Sequence, residues 1–258
     1  AVLAGRGAEF LEVGWPEFYD AITSNTRAVL LSTVNYTNGF RPPIVEVSRF
    51  LRERGVLLYL DATQSAGALV TDVSLIQPDV LAVDAYKWML APNGVGFAYF
   101  SPRLREVLAP NVIGWRSDHR WRDVDNLHHG APVFKSSAEK YEGAMLPSAL
   151  IYALAASVEM MLEIGPAAIE QRVLALAALA RDRLRSLGAR LLYDEAPHFD
   201  SPVIAAQFPN LDVSALAREL RRHRILVAAR HGNLRVSTHF YNNEEDLEQL
   251  DRCLRLLQ

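Results

Sequence analysis

The feature that most limits how this chain folds is an alternation. Between residues 1 and 135, short apolar β-like runs take turns with helical stretches. The runs are Glu9–Val13, Ala28–Val34, Val56–Asp61, Val80–Asp84 and Val95–Phe100. The first four are nearly continuous in apolar character, the pattern of strands buried on both faces. Between them lie Pro16–Thr23 and Pro43–Arg54. The second places Ile44, Val47, Phe50 and Leu51 at helical spacing and meets Gly55 as a stop. Such alternation predicts an α/β fold with a mainly parallel sheet and flanking helices. Sheets of this kind bind ligands beyond the carboxyl ends of their strands.

The texture changes at Pro147. Ser148–Ile164 and Pro166–Leu187 predict two long amphipathic helices. Short strands are expected at Ala189–Tyr193 and Val203–Phe208, a helix at Val213–Arg224, strands at Ile225–Ala228 and Leu234–Ser237, and a last helix from Glu244. Asn243 with Asp246 resembles a capping pair. Residues 1–146 are therefore expected to belong to a large domain and 147–258 to a small α+β domain. Residues 102–147 read as less regular, with Trp115, Trp121, His128 and His129 in a loop region.

Charge and cysteine usage exclude several classes. With 258 residues, a net charge of −3 and scattered arginines, nothing predicts attraction to nucleic acid or an anionic membrane. Arg221-Arg222-His-Arg224 reads as a solvated helix face. The single cysteine, Cys253, allows no internal disulfide and no cysteine cluster for metal, and the cytoplasm is the default location. No uninterrupted apolar run is long enough to span a bilayer. Adjacent His128 and His129 point apart on a strand, and with His119 they have no acid at a recognised metal-site spacing, so no metal is expected. There is no Gly-x-Ser-x-Gly elbow and no dinucleotide or P-loop signature.

Lysine usage is the sharpest chemical signal. Among 27 Lys+Arg only Lys87, Lys135 and Lys140 are lysines, and Lys87 lies in the apolar stretch Val80–Leu90. A strongly hydrated ammonium is costly there. Upstream, Val56-Leu-Leu-Tyr-Leu-Asp61 ends a strand in an acid, followed by Ala-Thr-Gln64-Ser-Ala-Gly67. Asp61 alone reads as a turn residue. Joined to a lysine past the next strand, it is half of the pair that pyridoxal phosphate chemistry needs: an amine to form an imine with the aldehyde, and a carboxylate to keep the pyridine nitrogen protonated.

Several segments together resemble the aminotransferase class V group of fold-type I pyridoxal phosphate enzymes. They are Asp61-Ala-Thr-Gln64-Ser-Ala-Gly67, Asp84-Ala-Tyr-Lys87-Trp, Pro92-Asn-Gly94-Val-Gly96, Glu142-Gly and Leu234-Arg235-Val-Ser-Thr-His-Phe-Tyr241-Asn242. The group includes cysteine desulfurases, selenocysteine lyases, kynureninases and isopenicillin-epimerase-like proteins. Val34-Asn35-Tyr36 and Gly114-Trp115 are similar to kynureninase-like members, and the Asn242-Asn-Glu-Glu ending to epimerase- and lyase-type members.

The resemblance implies a pyridoxal 5′-phosphate enzyme acting on an α-amino acid through a Lys87 aldimine and a Cα carbanion. Asp61 would pair with the pyridinium, Gln64 with the ring hydroxyl, and Tyr86 and Trp115 with the phosphate. Arg235, with Arg230 as the second candidate, would hold the substrate carboxylate, and Asn35 would lie at the substrate. A homodimer is implied as well. Two positions depart from the pattern: Asp84 stands where desulfurases carry a phosphate-binding serine, and Met145 or Leu146 where a polar residue reaches the partner's phosphate. The family's glycine-rich phosphate turn has no counterpart before Leu30, so the chain reads as the C-terminal portion of a longer enzyme. Cys253 in the terminal helix argues against persulfide formation. The expectation is thus a class V lyase or aminotransferase, kynureninase-like or a cysteine-independent C–S lyase or epimerase. The alternative is an incomplete remnant serving as a structural or dimerisation module.

Overall fold

The computed structural model describes residues 5, 7–126, 130–192 and 198–257; His128, His129 and Tyr193 lie outside the described residues. Its first sheet is built from the alternating half. Strands β1 (Ala28–Ser32), β2 (Leu57–Asp61), β3 (Val80–Asp84) and β4 (Gly96–Phe100) lie side by side in that order. The first three are parallel, with Ser32 opposite Asp61 and Asp61 opposite Ala82, and β4 runs antiparallel to β3. The carboxyl ends of β1, β2 and β3 therefore share one edge.

Helix α1 (Ile44–Glu53) links β1 to β2. Its Val47 and Leu51 are fully buried against the sheet. It ends in a Schellman motif: Gly55 takes φ +68°, its N–H donates to Arg52 O at 3.1 Å, and Val56 N–H donates to Leu51 O at 3.0 Å. Two short helices that the apolar pattern did not suggest follow, α2 (Val73–Ile76), capped by the Asp72 side chain, and α3 (Pro102–Val107), capped by Ser101.

Helices α4 (Ser148–Ile164) and α5 (Pro166–Ser186) meet at Gly165 with a bend of 82°. The second sheet is antiparallel, in the order β5 (Arg190–Leu191), β6 (Val203–Gln207), β8 (Asn233–Ser237), β7 (Ala228–Arg230). Helices α6 (Val213–Arg222) and α7 (Glu244–Leu257) pack with it. Asn243 and Asp246 cap α7 reciprocally: Asp246 N–H donates to Asn243 Oδ1 at 3.0 Å and Asn243 N–H to Asp246 Oδ2 at 3.1 Å.

Helix α5 joins the two cores. Ile169 and Val173 belong to the first, with Leu58, Leu60, Leu81, Val83, Trp88 and Met89. Leu176, Ala177, Ala180 and Leu184 belong to the second, with Ile204, Leu234, Leu220 and Leu254. At roughly 2 kcal/mol for each fully buried leucine, this shared helix holds the second sheet firmly against the first.

Four sequence expectations change. Glu9–Val13 joins no sheet, leaving Phe10 and Leu11 exposed, because no strand of the described chain lies beside it. Pro16–Thr23 forms only a single 3-10 turn, Trp15–Glu17; Trp15 and Tyr19 satisfy their apolar surface on Phe40 and Phe50 instead, and the Thr23 and Thr26 hydroxyls bond turn backbone. The strand expected at Ile225–Ala228 starts at Ala228, because Ile225 N–H closes the end of α6 on Leu220 O. The first sheet is covered on one face only. On the other, Leu30 (64% exposed) lies beside Tyr59 (37% exposed). Apolar character alone does not say how many faces the same chain covers.

No single helix among the described residues is long and apolar enough to cross a membrane; α4 and α5 meet that criterion only as a bent pair. The described residues also contain no group of three or more His, Cys, Asp or Glu able to hold a metal ion.

Candidate active site

The shared edge of β1, β2 and β3 gathers most of the residues singled out in the sequence. Asp61 closes β2. One oxygen of its carboxylate, Oδ1, accepts Thr63 N–H at 2.9 Å, an Asx turn that fixes the side chain where the strand stops. Thr63 Oγ1 in turn accepts Asp84 N–H at 3.0 Å, lacing the loop after β2 to the end of β3. Below them Thr33 and Ser65 share a buried hydroxyl–hydroxyl contact of 2.6 Å, and Thr33 N–H donates to Asp61 O at 2.9 Å. Asp84 itself is exposed.

Lys87 lies in the turn after β3. Leu90 N–H donates to Lys87 O at 3.1 Å, and Ala91 N–H to Ala85 O at 3.2 Å. Leu90 sits in the left-handed region (φ 57°), a conformation that costs a leucine of order 1 kcal/mol and that its surroundings must hold. They do so from two sides. Ser157 Oγ of α4 donates to Met89 O at 2.6 Å, and His239 Nε2, just past β8, lies 3.1 Å from Trp88 O. Gly67 packs directly on this turn: it takes φ +91°, and a Cβ there would lie 2.7 Å from Trp88 O.

Lys87 is half-buried rather than enclosed as the apolar sequence around it suggested; that apolar character is spent by Trp88 and Met89, which enter the core. Its Nζ lies 5.3 Å from the ring centre of Tyr86, itself 42% exposed, and makes no ion pair or hydrogen bond among the described residues. Gln64 is half-buried, and its Oε1 faces the Trp88 indole N–H at 3.4 Å. That contact assigns the amide oxygen to the indole and leaves the NH2 group as a free donor.

Arg235 reaches the same edge from β8. Its Nη1 donates to Tyr36 O at 2.8 Å, while its Nε is buried without a hydrogen-bond partner. Burial, then repulsion from Arg230, lowers its pKa from the usual arginine value. Arg235 pairs with Ala228 across the β7–β8 ladder, and Arg230 lies two residues further along β7 on the same face. Two neighbouring guanidiniums, one with an unmet buried donor, have the chemistry to hold an anion.

Asn35 precedes Tyr36, whose carbonyl Arg235 holds, but its Oδ1 is committed to its own loop, accepting Thr37 N–H at 2.8 Å and the Thr37 hydroxyl at 2.5 Å. Only its amide N–H groups remain for a ligand. Trp115 belongs to a different cluster. It meets Trp121 edge-on at 5.1 Å, and Trp121 carries Arg116, Arg122 and Lys135 at 4.6, 4.4 and 4.9 Å from its ring centre. Arg116 pairs with Glu139 and Glu142. Met145 is 75% exposed.

Sequence reasoning passed over Thr63, Ser157 and His239. His239 is buried, and its pKa falls to about 4 because burial disfavours the charged ring, against a smaller opposing effect of the Trp88 carbonyl. Its one sequence signal, a lone histidine among Val236, Phe240 and Tyr241, names no partner.

The chain matches the Aminotransferase class-V family model over residues 9–250. It is 30% identical over 251 residues to an isopenicillin N epimerase of Streptomyces clavuligerus, covering 92% of this chain and 62% of that protein. It is 25% identical over 252 residues to a probable cysteine desulfurase of Methanothermobacter thermautotrophicus, covering 91% and 61%. Among solved structures, the cystine C–S lyase C-DES in complex with cysteine persulfide is similar with a TM-score of 0.81 at 22% identity, covering 92% of this chain and 63% of that one, a likeness of fold. The chain spans less than two thirds of the length of these relatives.

Proposed function

The chain belongs to the aminotransferase class V family, and from that premise we propose that Lys87 is the cofactor lysine of an enzyme acting on an α-amino acid. Members of the family are pyridoxal phosphate enzymes, so pyridoxal 5′-phosphate is the cofactor. The residues present fit it. Asp61 offers a carboxylate for a pyridinium N–H, Gln64 an amide donor for the ring oxygen, and Lys87 a primary amine with no competing partner. The observation that carries the reading is the meeting of these three groups on adjacent strand ends, with the Arg235–Arg230 pair reaching the same edge.

When bound, the cofactor supplies an electron sink for charge developing at the substrate Cα. Lys87 would hold it through its Nζ amine and would move the proton at the substrate Cα. Asp61, held by Thr63, would keep the pyridine N–H in place. Arg235 grips the substrate carboxylate through its fork, Arg230 adds charge, and the Asn35 amide donates beside them. Tyr86, beside Lys87, is assigned to the phosphate, and Trp115, which packs in the Trp121 cluster, is the second candidate. The reaction is that of a class V lyase or aminotransferase, kynureninase-like or a C–S lyase or epimerase working without a cysteine. Cys253 packs against the second core on α7, which supports a mechanism free of persulfide storage. Homodimerisation is supported by the apolar side chains α4 leaves exposed, among them Tyr152 (76%) and Leu162 (63%).

A second reading, a chain that is catalytically incomplete by itself, is favoured by the bare face of the first sheet at Leu30 and Tyr59. One experiment separates the two. The chain is titrated with pyridoxal phosphate, reduced with borohydride and mapped by peptide mass. A reduced adduct on Lys87, absent in Lys87→Ala, is the expected result. An adduct that persists in Lys87→Ala sinks the site. No adduct on this chain, with one on the full-length protein, establishes the second reading.

A further inference from the structure

His239 links the two halves of the site, and none of the roles assigned above uses it. It follows Arg235 by four residues and is 7% exposed. Its Nε2 faces Trp88 O at 3.1 Å, and its Nδ1 accepts Phe240 N–H at 3.0 Å. A ring nitrogen facing a carbonyl donates and one facing an N–H accepts, so the two contacts select one tautomer, with its hydrogen on Nε2. The ring is stacked on Trp88 at 5.2 Å and 20° and on Tyr241 at 4.3 Å and 16°.

The clasp is anchored at both ends. His239 N–H donates to Asn242 Oδ1 at 2.9 Å, and Asn242 Nδ2 donates to Asp246 Oδ2 at 3.0 Å in the first turn of α7. At the other end, Trp88 follows Lys87 directly, and its indole N–H meets Gln64 Oε1. A continuous run of contacts thus leads from the start of α7, through His239 and Trp88, to two of the groups assigned to the cofactor.

We propose that His239 is a positioning residue: stacked on Trp88 and Tyr241, it holds the Trp88 carbonyl and indole so that the Lys87 amine and the Gln64 amide face one cofactor ring. The inference rests on reading Lys87 as the cofactor lysine. An imidazole suits the task because it combines a flat face with two in-plane hydrogen bonds on opposite edges. Phenylalanine supplies only the face, and glutamine supplies a donor of similar reach. Burial keeps the ring uncharged at neutral pH, which leaves the Nδ1 lone pair for Phe240.

The test compares full-length wild-type protein with His239→Phe and His239→Gln. Cofactor dissociation constant and the pH midpoint of the absorbance band of attached pyridoxal phosphate are measured, with circular dichroism and thermal midpoint as controls for folding. His239→Phe is expected to fold, to bind the cofactor about 10-fold more weakly, as loss of one hydrogen bond implies, and to shift the band midpoint by about half a unit. His239→Gln is expected to recover most of both. A folded His239→Phe with wild-type affinity and midpoint overturns the proposal. If His239→Phe does not fold, Trp88→Phe, which keeps an aromatic face and removes the indole donor, must shift the midpoint; an unchanged midpoint there overturns the relay to Gln64. Wild-type protein with no adduct on Lys87 is a different failure: it removes the reading of Lys87, and this inference with it.

Discussion

Ser157 of α4 donates its hydroxyl to the carbonyl of Met89 at 2.6 Å, so a helix 68 residues downstream grips the turn that carries Lys87. The bond supports a turn containing a left-handed leucine, Leu90, and the serine is half-buried. Ser157→Ala is expected to lower stability by about 1 kcal/mol, the net worth of one such bond plus an unmet carbonyl. Denaturant unfolding checks this. A change in the midpoint without a change in slope is the expected signature.

Gly67 tests how closely the loops must approach. Its φ of +91° disfavours any side chain, and an added Cβ would lie 2.7 Å from Trp88 O, which is backbone and cannot swing aside. Gly67→Ala is expected to destabilise the fold by about 2 kcal/mol and to lose attached cofactor, because the Gln64 loop and the Lys87 turn must part. Thermal unfolding and borohydride trapping read the two effects separately. Full retention of both would show that the turn yields.

Arg224 gives a change in the other direction. It ends α6 in the left-handed region (φ 63°), where Gly55 and Gly188 end α1 and α5 with the same pair of backbone bonds. Arg224→Gly is expected to stabilise the protein by about 0.5–1 kcal/mol by relieving that strain. The measurement is the thermal midpoint, with far-UV circular dichroism unchanged.

The elements that were legible in the sequence are those whose signals are local. The bounds of α4 match its apolar stretch between Pro147 and Gly165, and α7 begins where the Asn243–Asp246 cap forms. Asp61, Gln64 and Lys87 could be singled out because each follows a recognisable strand end, and parallel strands bring such ends together. What was not legible depends on distant partners. His239 meets Trp88 across 151 residues, and Ser157 meets Met89 across 68, with no periodicity to announce either contact. Pro16–Thr23 failed as a helix because Trp15 and Tyr19 found Phe40 and Phe50, a tertiary alternative to a helical face.

His239 should also write itself into the pH dependence of stability. Its pKa is about 4 in the folded chain against an ordinary 6.5, so between these values the unfolded chain binds the extra proton. The contribution is fully present above about pH 6.5 and is lost as the pH falls towards 4, for a total of a few kcal/mol. Below pH 4 both states are protonated and the contribution no longer changes. His239→Phe, which cannot titrate, should show a flatter stability profile over that window than the wild type. Parallel profiles would mean that the ring is not kept neutral by its surroundings.

Arg235 is the residue whose replacement speaks most directly to substrate. One arm of its fork is spent on Tyr36 O at 2.8 Å, and its Nε is buried and unmet, so the guanidinium is held in place yet has donors to spare. A lysine could satisfy Tyr36 or a carboxylate but cannot hold the planar geometry needed for both. Arg235→Lys in the cofactor-loaded full-length protein is therefore expected to weaken binding of an α-amino acid by about 10- to 100-fold, with attachment of the cofactor itself unchanged. Arg230→Lys, at an exposed position, keeps its charge and is expected to change binding by less than about threefold. A spectral titration with amino acids measures both. If the larger effect falls on Arg230, the carboxylate is held by the outer guanidinium, and Arg235 serves mainly to tie β8 to the Tyr36 loop.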